Sequence, residues 1–178
     1  MTPGPRVLLI GMMGAGKSTV GTALSARTGW PYYDNDELVV RATGKPTPNV
    51  LDDSGVAALR AVESLALQQA LSLDSPLIGG IAGGVVDETD DRERLRESDA
   101  VIVWLRARIE TLIERVGDGA GRPWLQPDPA AAMRKLYAGR APRYAAIASL
   151  IVDVDDLPPT VVAERIMGFL SGDLNRPR

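Results

Sequence analysis

The chain has 178 residues, of which 45% are hydrophobic and 24% charged, with a formal net charge of −3. This length suits one domain with its own core, and the acidic balance argues against a nucleic-acid partner held by a basic surface. The sequence contains no Cys and no His. Their absence excludes disulfides, thiolate nucleophiles, histidine-ligated zinc and a Ser-His-Asp triad. Any general base must therefore be a carboxylate or, less often, a lysine.

No apolar run is long enough to span a membrane, and residues 1–10 lack the cleavage site of a signal peptide. We therefore expect a cytoplasmic protein with no membrane partner. No long apolar stripe calls for a partner chain, so a monomer is expected. The predicted organisation is a single domain over residues 1–172 followed by a frayed tail over residues 173–178.

Short apolar runs alternate with longer helical patterns, which is typical of α/β proteins with a mainly parallel sheet. In chain order we predict strand 6–10, helix 17–28, strand 30–33, helix 38–42, helix 56–73, strand 77–81, strand 100–105, helix 109–116, helix 129–137 and beyond, strand 150–154 and helix 160–170. Asp128 is the expected cap of the helix that begins at Pro129. Residues 117–127 carry three Gly and two Pro, which predicts a mobile surface loop.

Residues 11–18 directly follow the first predicted strand and fit the phosphate-binding pattern G-x-x-x-x-G-K-[ST]. In this pattern the glycine-rich backbone turns its N–H groups toward phosphate oxygens, at the positive end of the following helix. Lys17 would reach the β- and γ-phosphates, Ser18 would bind Mg²⁺, and Thr19 would hold the α-phosphate. The residues expected to bind the nucleotide here are Gly14, Ala15, Gly16, Lys17, Ser18 and Thr19.

A phosphate loop alone does not separate kinases from GTPases or from motor and transporter ATPases. The chain has no N-K-x-D run for guanine recognition. It also lacks the length and the apolar run with a terminal acid that those ATPases need. A kinase of a small metabolite is the class that remains.

An acidic cluster follows the second predicted strand, at the sheet edge where ligands of open α/β sheets bind. Asp34 and Asp36 lie on the same side if the segment is extended, and they diverge if it turns. One of them would hold Mg²⁺ through water, and the other would accept a substrate hydroxyl or its proton. Helix capping by either aspartate is the structural alternative, and it is compatible with both roles.

Other charged and glycine residues have both structural and functional interpretations. Arg60 and Glu63 are spaced as a surface ion pair, or alternatively Glu63 orients Arg60 toward an anionic substrate. Gly83 and Gly84 follow the third strand, where they form a turn or let a ligand approach the backbone. Arg122 is a solvated loop residue or a lid residue that closes over the γ-phosphate.

Taken in order, these pieces resemble the shikimate kinases over nearly the whole chain: GMMGAGKS, YYDND, R-x-x-E from Arg60, AGG, GRPWL and RAPRY. The resemblance implies a three-layer α/β P-loop kinase fold in which helices flank a five-stranded parallel sheet. It also implies a substrate-binding segment at about residues 34–63 and a mobile lid at about residues 117–127. The activity it implies is ATP-dependent phosphorylation of the 3-hydroxyl of shikimate.

The resemblance also implies roles for individual residues. Lys17, Asp36 and Arg122 would be catalytic, with Asp36 binding substrate hydroxyls and accepting the proton. Ser18 and Asp34 would serve Mg²⁺. The expected substrate contacts are Asp36, Arg60, Gly83, Gly84 and Arg140, with the two arginines on the carboxylate. The expected ATP contacts beyond the phosphate loop are Arg115, which stacks on adenine, Arg122, and Pro158 in the segment that closes over the base.

The substrate half departs from the family pattern. Ala82 replaces the first residue of a triple glycine, which is expected to shift the backbone or crowd the pocket. Leu51 and Leu59 replace two pocket phenylalanines, and residues 47–49 and 55–56 differ from the family preference. Two alternatives to shikimate phosphorylation follow from these changes. One is a divergent kinase of another polyol, cyclitol or sugar acid such as gluconate, and the other is a non-catalytic ATP-binding module.

Overall fold

The computed structural model of the protein describes residues 4–45, 47–120 and 122–172, without the side chains of residues 47–54, 56 and 123. Within these residues five strands form one sheet: β1 (Arg6–Ile10), β2 (Tyr32–Tyr33), β3 (Leu77–Gly80), β4 (Val101–Arg106) and β5 (Leu150–Asp153). The same part of the chain holds seven α-helices: α1 (Lys17–Thr28), α2 (Asn35–Thr43), α3 (Thr47–Ser72), α4 (Thr89–Glu97), α5 (Ile109–Val116), α6 (Pro129–Ile147) and α7 (Pro159–Leu170). Two 3-10 turns cover Gly83–Asp87 and Pro123–Leu125.

The sheet is parallel throughout, in the order β2-β3-β1-β4-β5. The central strand β1 lies between β3 and β4, with Leu9 level with both Gly80 and Val103. Because parallel strands need crossover connections, helices alternate with the strands along the chain. The predicted α/β fold with a five-stranded parallel sheet is confirmed.

Burial of β1 shows that both faces of the sheet are covered. Val7, Leu8, Leu9 and Ile10 point alternately to opposite faces, and none is more than 1% exposed. Helix α1 packs against α7, and α6 packs against β4. A strand buried on both faces reads as a continuous apolar run, which is why this strand was predictable from sequence.

The helix ends follow from local sequence. Asp128 precedes α6 and accepts a hydrogen bond from the Ala131 N–H, as its predicted role as a cap requires. Gly29 ends α1 in the left-handed conformation, with φ 73°, and its N–H donates to the Ser25 carbonyl. Such an end favours glycine because a Cβ atom would be strained there.

Two helices begin earlier than predicted. Helix α2 begins at Asn35 rather than residue 38, because Asp34 caps it by accepting from the Glu37 N–H at 2.8 Å. Helix α3 begins at Thr47 rather than residue 56, and it is interrupted at Gly55, whose φ of 76° and ψ of −175° are not helical. The predicted boundary thus marks the kink inside the helix.

Helix α4 was missed by the sequence analysis, whereas a turn at Gly83 and Gly84 was one of its two interpretations. Helix α4 has acids in its first turn and arginines in its last, an arrangement that suits the helix dipole. Its buried residues are only Asp91 and Leu95. A search for apolar periodicity does not find a helix that buries so little apolar surface.

The segment 117–127 is not a purely surface loop, which corrects the prediction. Leu125 is fully buried and Trp124 packs against the core, because the turn Pro123–Leu125 inserts them under α6. The mobility of this segment stays a prediction, as does the domain extent of residues 1–172. The predicted tail over residues 173–178 lies outside the described residues.

No helix in the described part of the chain combines the length and the apolar character needed to cross a bilayer.

Gly21 on α1 packs directly against the ring of Tyr32, and a methyl group there would collide with the ring. We therefore expect Gly21→Ala to lower the free energy of unfolding by about 1–3 kcal/mol, the usual effect of overpacking. Urea unfolding followed by circular dichroism measures this.

Gly139→Ala is the matched control, because Gly139 is an exposed glycine inside α6 and a Cβ there meets nothing within 4 Å. Helix propensity predicts that this change raises the free energy of unfolding by up to about 1 kcal/mol. A Gly21→Ala protein as stable as the Gly139→Ala protein would contradict the packing argument.

Candidate active site

The loop of residues 11–18 joins β1 to α1 and takes a shape that glycine permits. Gly14 and Gly16 have φ values of 81° and 88°, and Gly16 is the N-cap residue of α1. A side chain at either position would be strained. The loop therefore presents its backbone at the N-terminus of α1, where the helix dipole favours an anion.

A cavity of about 470 Å³ lies beside this loop, and we call it the nucleotide cavity. Its polar lining comes from the loop and the start of α1, and its apolar lining comes from the end of the sheet and from α7. The lining residues are Gly14, Ala15, Gly16, Lys17, Ser18, Thr19, Val20, Arg115, Val154, Leu157, Pro159 and Val162. Phosphate-binding backbone next to an apolar wall suits a nucleoside triphosphate, whose two ends need these two environments.

The six residues 14–19 that are expected to bind the nucleotide line this cavity, as does Arg115, whereas Pro158 does not. Pro158 is the N-cap residue of α7, and its neighbours Leu157 and Pro159 provide the lining instead. Arg115 is held at the cavity by two backbone carbonyls, those of Gly14 at 3.2 Å and Asp155 at 3.3 Å. These contacts fix its guanidinium plane beside the loop.

Lys17 is surrounded by positive charge. Its Nζ donates to the carbonyls of Gly11 at 2.9 Å and Met12 at 3.1 Å. Desolvation lowers the pKa of Lys17 to about 8; the charges of Arg140 and Arg122 also lower it, and Glu63 opposes them. An anion bound beside this lysine would stabilise its charged form and raise the pKa again.

This pKa predicts that nucleotide binding takes up protons. Below pH 8 Lys17 is already charged, but above pH 8 the protein without nucleotide loses that proton and must regain it when phosphates bind. We therefore expect uptake of up to one proton per site at pH 8.5–9, and an affinity for Mg-ATP that falls as the pH rises above about 8. Titration calorimetry in two buffers of different protonation enthalpy measures the uptake.

Lys17→Arg is the control, because a guanidinium stays charged over this range and gives no uptake from this position. Proton release by the unmutated protein, or no uptake at pH 8.5–9, would contradict the assignment.

A second cavity, of about 290 Å³, meets the first at the phosphate loop, because Gly14 and Lys17 line both. We call it the acceptor cavity. Its lining combines charged, polar and apolar groups from distant parts of the chain: Met13, Gly14, Lys17, Asn35, Asp36, Arg60, Glu63, Ala82, Gly83, Gly84, Arg122, Trp124 and Arg140. The lysine that would contact the phosphates therefore stands between two sites, as phosphoryl transfer requires.

The start of α2 separates the two predicted aspartates. Asp34 caps the helix and does not line the acceptor cavity, whereas the exposed Asp36 lies in its wall. The chain has thus turned, and the two carboxylates diverge. Asp36 is a suitably placed carboxylate for a hydroxyl of a bound molecule, and it is the wall residue that fits the role of general base.

Arg60 and Glu63 form a partly buried pair rather than an exposed surface pair. Glu63 is 8% exposed and accepts from Nη1 of Arg60, and both side chains line the acceptor cavity. Burial raises the pKa of Glu63, and the pairing with Arg60 opposes that rise. A Cβ on Gly84 would collide with the Arg60 guanidinium, so this glycine makes room for the arginine.

Arg140 is 2% exposed, which makes it one of the most deeply buried charges described. Its Nε and Nη2 donate to Asp87, with Nη2 to Oδ2 at 2.6 Å. Arg143 also donates to Asp87, at 3.0 Å. Asp87 was missed by the sequence analysis, and a lone aspartate in a short turn gives no signal that would have found it.

The turn Gly83–Asp87 is attached to α6 at both ends. Tyr144 donates its hydroxyl to the Gly83 carbonyl at 2.7 Å, and Asp87 receives the arginines of the same helix. The backbone of Gly83 and Gly84 is thereby held against the acceptor cavity. Both glycines line the cavity, and their contact with an acceptor stays a prediction.

The segment 117–127 contributes two residues to the acceptor cavity, Arg122 and Trp124. Arg122 does not line the nucleotide cavity, although its charge acts on Lys17. Trp124 is a wall residue that the sequence analysis did not assign. Its Nε1 and the Oδ1 of Asn35 are buried and have no hydrogen-bond partner among the described residues. A polar ligand suits such a wall.

Leu51 and Leu59 are the two leucines expected in place of pocket phenylalanines. Leu59 is 2% exposed and does not line the acceptor cavity. The side chain of Leu51 lies outside those described.

The residues present fit a magnesium ion held mainly by phosphate oxygens. Ser18 lines the nucleotide cavity, and Asp34 lies at the start of α2. Among the described residues no three carboxylates come together to form a metal site of their own. Mg²⁺ commonly takes one or two protein ligands together with water and substrate phosphates.

Comparison with known proteins agrees with this geometry. The shikimate kinase family model matches residues 13–171. A shikimate kinase of Marinomonas sp. (strain MWYL1) is 32% identical over 98% of this chain and 96% of its own length. One from Nitrobacter winogradskyi is 36% identical over 97% of this chain and 80% of its own.

A solved structure extends the likeness to the whole fold. Shikimate kinase from Acinetobacter baumannii, in complex with shikimate, superposes with a TM-score of 0.86 at 27% identity, covering 96% of this chain and 94% of that one. The family match, the two relatives and this superposition all span nearly the full length. The chain therefore belongs to the shikimate kinase family.

Proposed function

We propose that the protein transfers the γ-phosphoryl group of ATP to the 3-hydroxyl of shikimate, giving shikimate 3-phosphate. The observation that carries this proposal is the pair of cavities that meet at Lys17, one walled by the phosphate loop and the other by buried arginines. The family to which the chain belongs supports a phosphotransferase that acts on an alcohol group. The Acinetobacter relative was solved with shikimate bound, which supports the same acceptor here.

The charge of the acceptor cavity supports an anionic acceptor. Four cations and two acids line it, for a balance of +2: Lys17, Arg60, Arg122 and Arg140 against Asp36 and Glu63. A planar guanidinium matches a carboxylate bidentately, so Arg60 and Arg140 suit the carboxylate of a hydroxy acid. A cyclitol without a carboxylate would leave this charge unmatched.

The proposed mechanism is positioning and charge stabilisation. Asp36 would hold the acceptor hydroxyl and take its proton as the oxygen attacks the γ-phosphorus in line. Lys17 and Arg122 would neutralise the charge that develops on the transferred group. Ser18, and Asp34 through water, would hold Mg²⁺, which would supply neutralisation of phosphate charge.

We further propose that the protein acts as a cytoplasmic monomer. Its large exposed apolar side chains are few among the residues described, and Val40, Leu65 and Ile151 lie on three different elements. Single exposed apolar residues of this kind do not form a patch that needs a partner. The proposed substrates, ATP and a small hydroxy acid, are soluble metabolites.

The deciding experiment measures ADP release with Mg-ATP and four acceptors: shikimate, quinate, gluconate and a cyclitol without a carboxylate. We expect shikimate alone to stimulate turnover well above the rate without acceptor. Faster turnover with gluconate or another polyol would show that this compound, and not shikimate, is the acceptor. ATP binding without turnover on any acceptor would favour the non-catalytic module.

Arg60→Ala tests the acceptor cavity separately from the nucleotide cavity. Loss of a buried charged hydrogen bond to a carboxylate is expected to raise the KM for shikimate about tenfold or more. The KM for ATP should change less than about twofold, because Arg60 does not line that cavity. Steady-state kinetics with each substrate varied in turn measures both values.

Arg41→Ala is the matched control, since Arg41 forms an exposed i,i+4 pair with Glu37 on α2. It should leave both KM values unchanged. Equal increases of both KM values in Arg60→Ala would show a structural role for Arg60.

A further inference from the structure

Asp87 stands behind the acceptor cavity rather than in its wall. It ends the 3-10 turn that follows β3 and does not line the cavity. Its carboxylate nevertheless receives three hydrogen bonds from Arg140, which does line it, at 3.1 and 3.2 Å from Nε and 2.6 Å from Nη2. Asp87 is thus connected to the cavity through a single buried side chain.

Asp87 is itself held in place from two sides. Nη1 of Arg143 donates to its Oδ1 at 3.0 Å. On the other side, Nη1 of Arg92 donates to the carbonyls of Val86 at 2.6 Å and Asp87 at 3.0 Å. The carboxylate that receives Arg140 therefore cannot move without breaking its contact to Arg143, and Arg92 holds the backbone of the same residue.

Bonding at Nε and Nη2 fixes the whole guanidinium of Arg140. The group is planar and rigid, so two donors in place determine the direction of the remaining N–H groups. The side chain is 2% exposed, so Arg140 depends on protein groups such as Asp87 for its hydrogen bonds. Without a carboxylate behind it, Arg140 would be a buried unpaired charge, which is strongly unfavourable.

We propose that Asp87 is a positioning residue of the acceptor site, which holds Arg140 in the orientation that pairs with the acceptor carboxylate. The proposal rests on the proposed function, because it concerns how that acceptor is recognised. Each of the two arginines assigned to the carboxylate then has its own supporting acid. Glu63 supports Arg60 from within the cavity wall, and Asp87 supports Arg140 from behind it.

The test measures KM for shikimate, KM for ATP and kcat in Asp87→Ala and Asp87→Asn. We expect the KM for shikimate to rise about tenfold or more in the alanine variant and about three- to tenfold in the asparagine variant. The KM for ATP and kcat should stay within about twofold. Titration calorimetry should give the same ratios for the Kd of shikimate, which is a readout independent of turnover.

A second acceptor separates positioning from general damage to the fold. With the carboxamide of shikimate, whose neutral group does not form the ion pair, the ratio of KM between Asp87→Ala and the unmutated protein should fall below about twofold. A ratio as large for the carboxamide as for shikimate would overturn the proposal. An unchanged or lower KM for shikimate would overturn it as well.

Asp153→Asn is the matched control. Asp153 also binds an arginine through Nε and Nη2, that of Arg106, but this pair is exposed and lies outside the acceptor cavity. It should leave both KM values unchanged.

If Asp87→Ala does not fold, Asp87→Asn and Arg143→Gln serve as the test variants. Arg143→Gln removes only one hydrogen bond to Asp87. The same KM for shikimate as the unmutated protein in both variants would overturn the proposal.

The unmutated protein distinguishes the two possible failures. If it does not phosphorylate shikimate, the proposed function fails and the role of Asp87 falls with it. If it does so, and the variants show no selective loss of shikimate binding, only the role of Asp87 is wrong.

Discussion

The close approach of three parallel strands at their carboxyl ends determines where the site forms. At the exit of β1, a Cβ on Gly11 would lie 2.7 Å from the Leu105 carbonyl of β4. On the other side, a Cβ on Gly83, just after β3, would lie 2.9 Å from the Gly11 carbonyl. Because no side chain fits between these backbones, the phosphate loop and the turn after β3 are brought into direct contact. The nucleotide cavity and the acceptor cavity then share a wall at Lys17.

Several charged side chains lie at this shared wall, and the arginines among them that are most buried are paired with carboxylates. Burying Arg60 and Arg140 near Lys17 is unfavourable unless each has a carboxylate partner, and Glu63 and Asp87 supply them. Desolvation by burial, together with the charges of Arg140 and Arg122, still lowers the pKa of Lys17 to about 8. The ligands proposed here, phosphates on one side and a carboxylate on the other, are the anions that would relieve it. The charged side chains that set the electrostatics of the two cavities are thus the ones that the proposed reaction uses.

The sequence predicted what local patterns encode. The run 6–10 and the glycine-rich turn with Lys17 and Ser18 are contiguous, so strand, loop and helix could be read directly and are confirmed as elements. Helix α4 could not be predicted in this way, because it buries little apolar surface. The role of Asp87 could not be predicted either, because Asp87 contacts Arg140 across 53 residues of chain. The Arg60–Glu63 spacing favoured a surface pair, and only the fold shows that this face of α3 is buried.

The same backbone geometry explains which glycines of the turn after β3 are required. Gly84 makes room for the Arg60 guanidinium. Gly83 lies against Gly11 and Tyr144, and a Cβ on Gly83 would be 3.1 Å from the Tyr144 hydroxyl oxygen. Ala82 has φ −56° and ψ 137°, which any residue adopts without strain. The expected shift of the backbone at Ala82 is therefore not needed, and its methyl group acts only as part of the cavity wall. Because Ala82 lines the acceptor cavity and carries no charge, we expect divergence at this position to alter the shape of the cavity and not its charge.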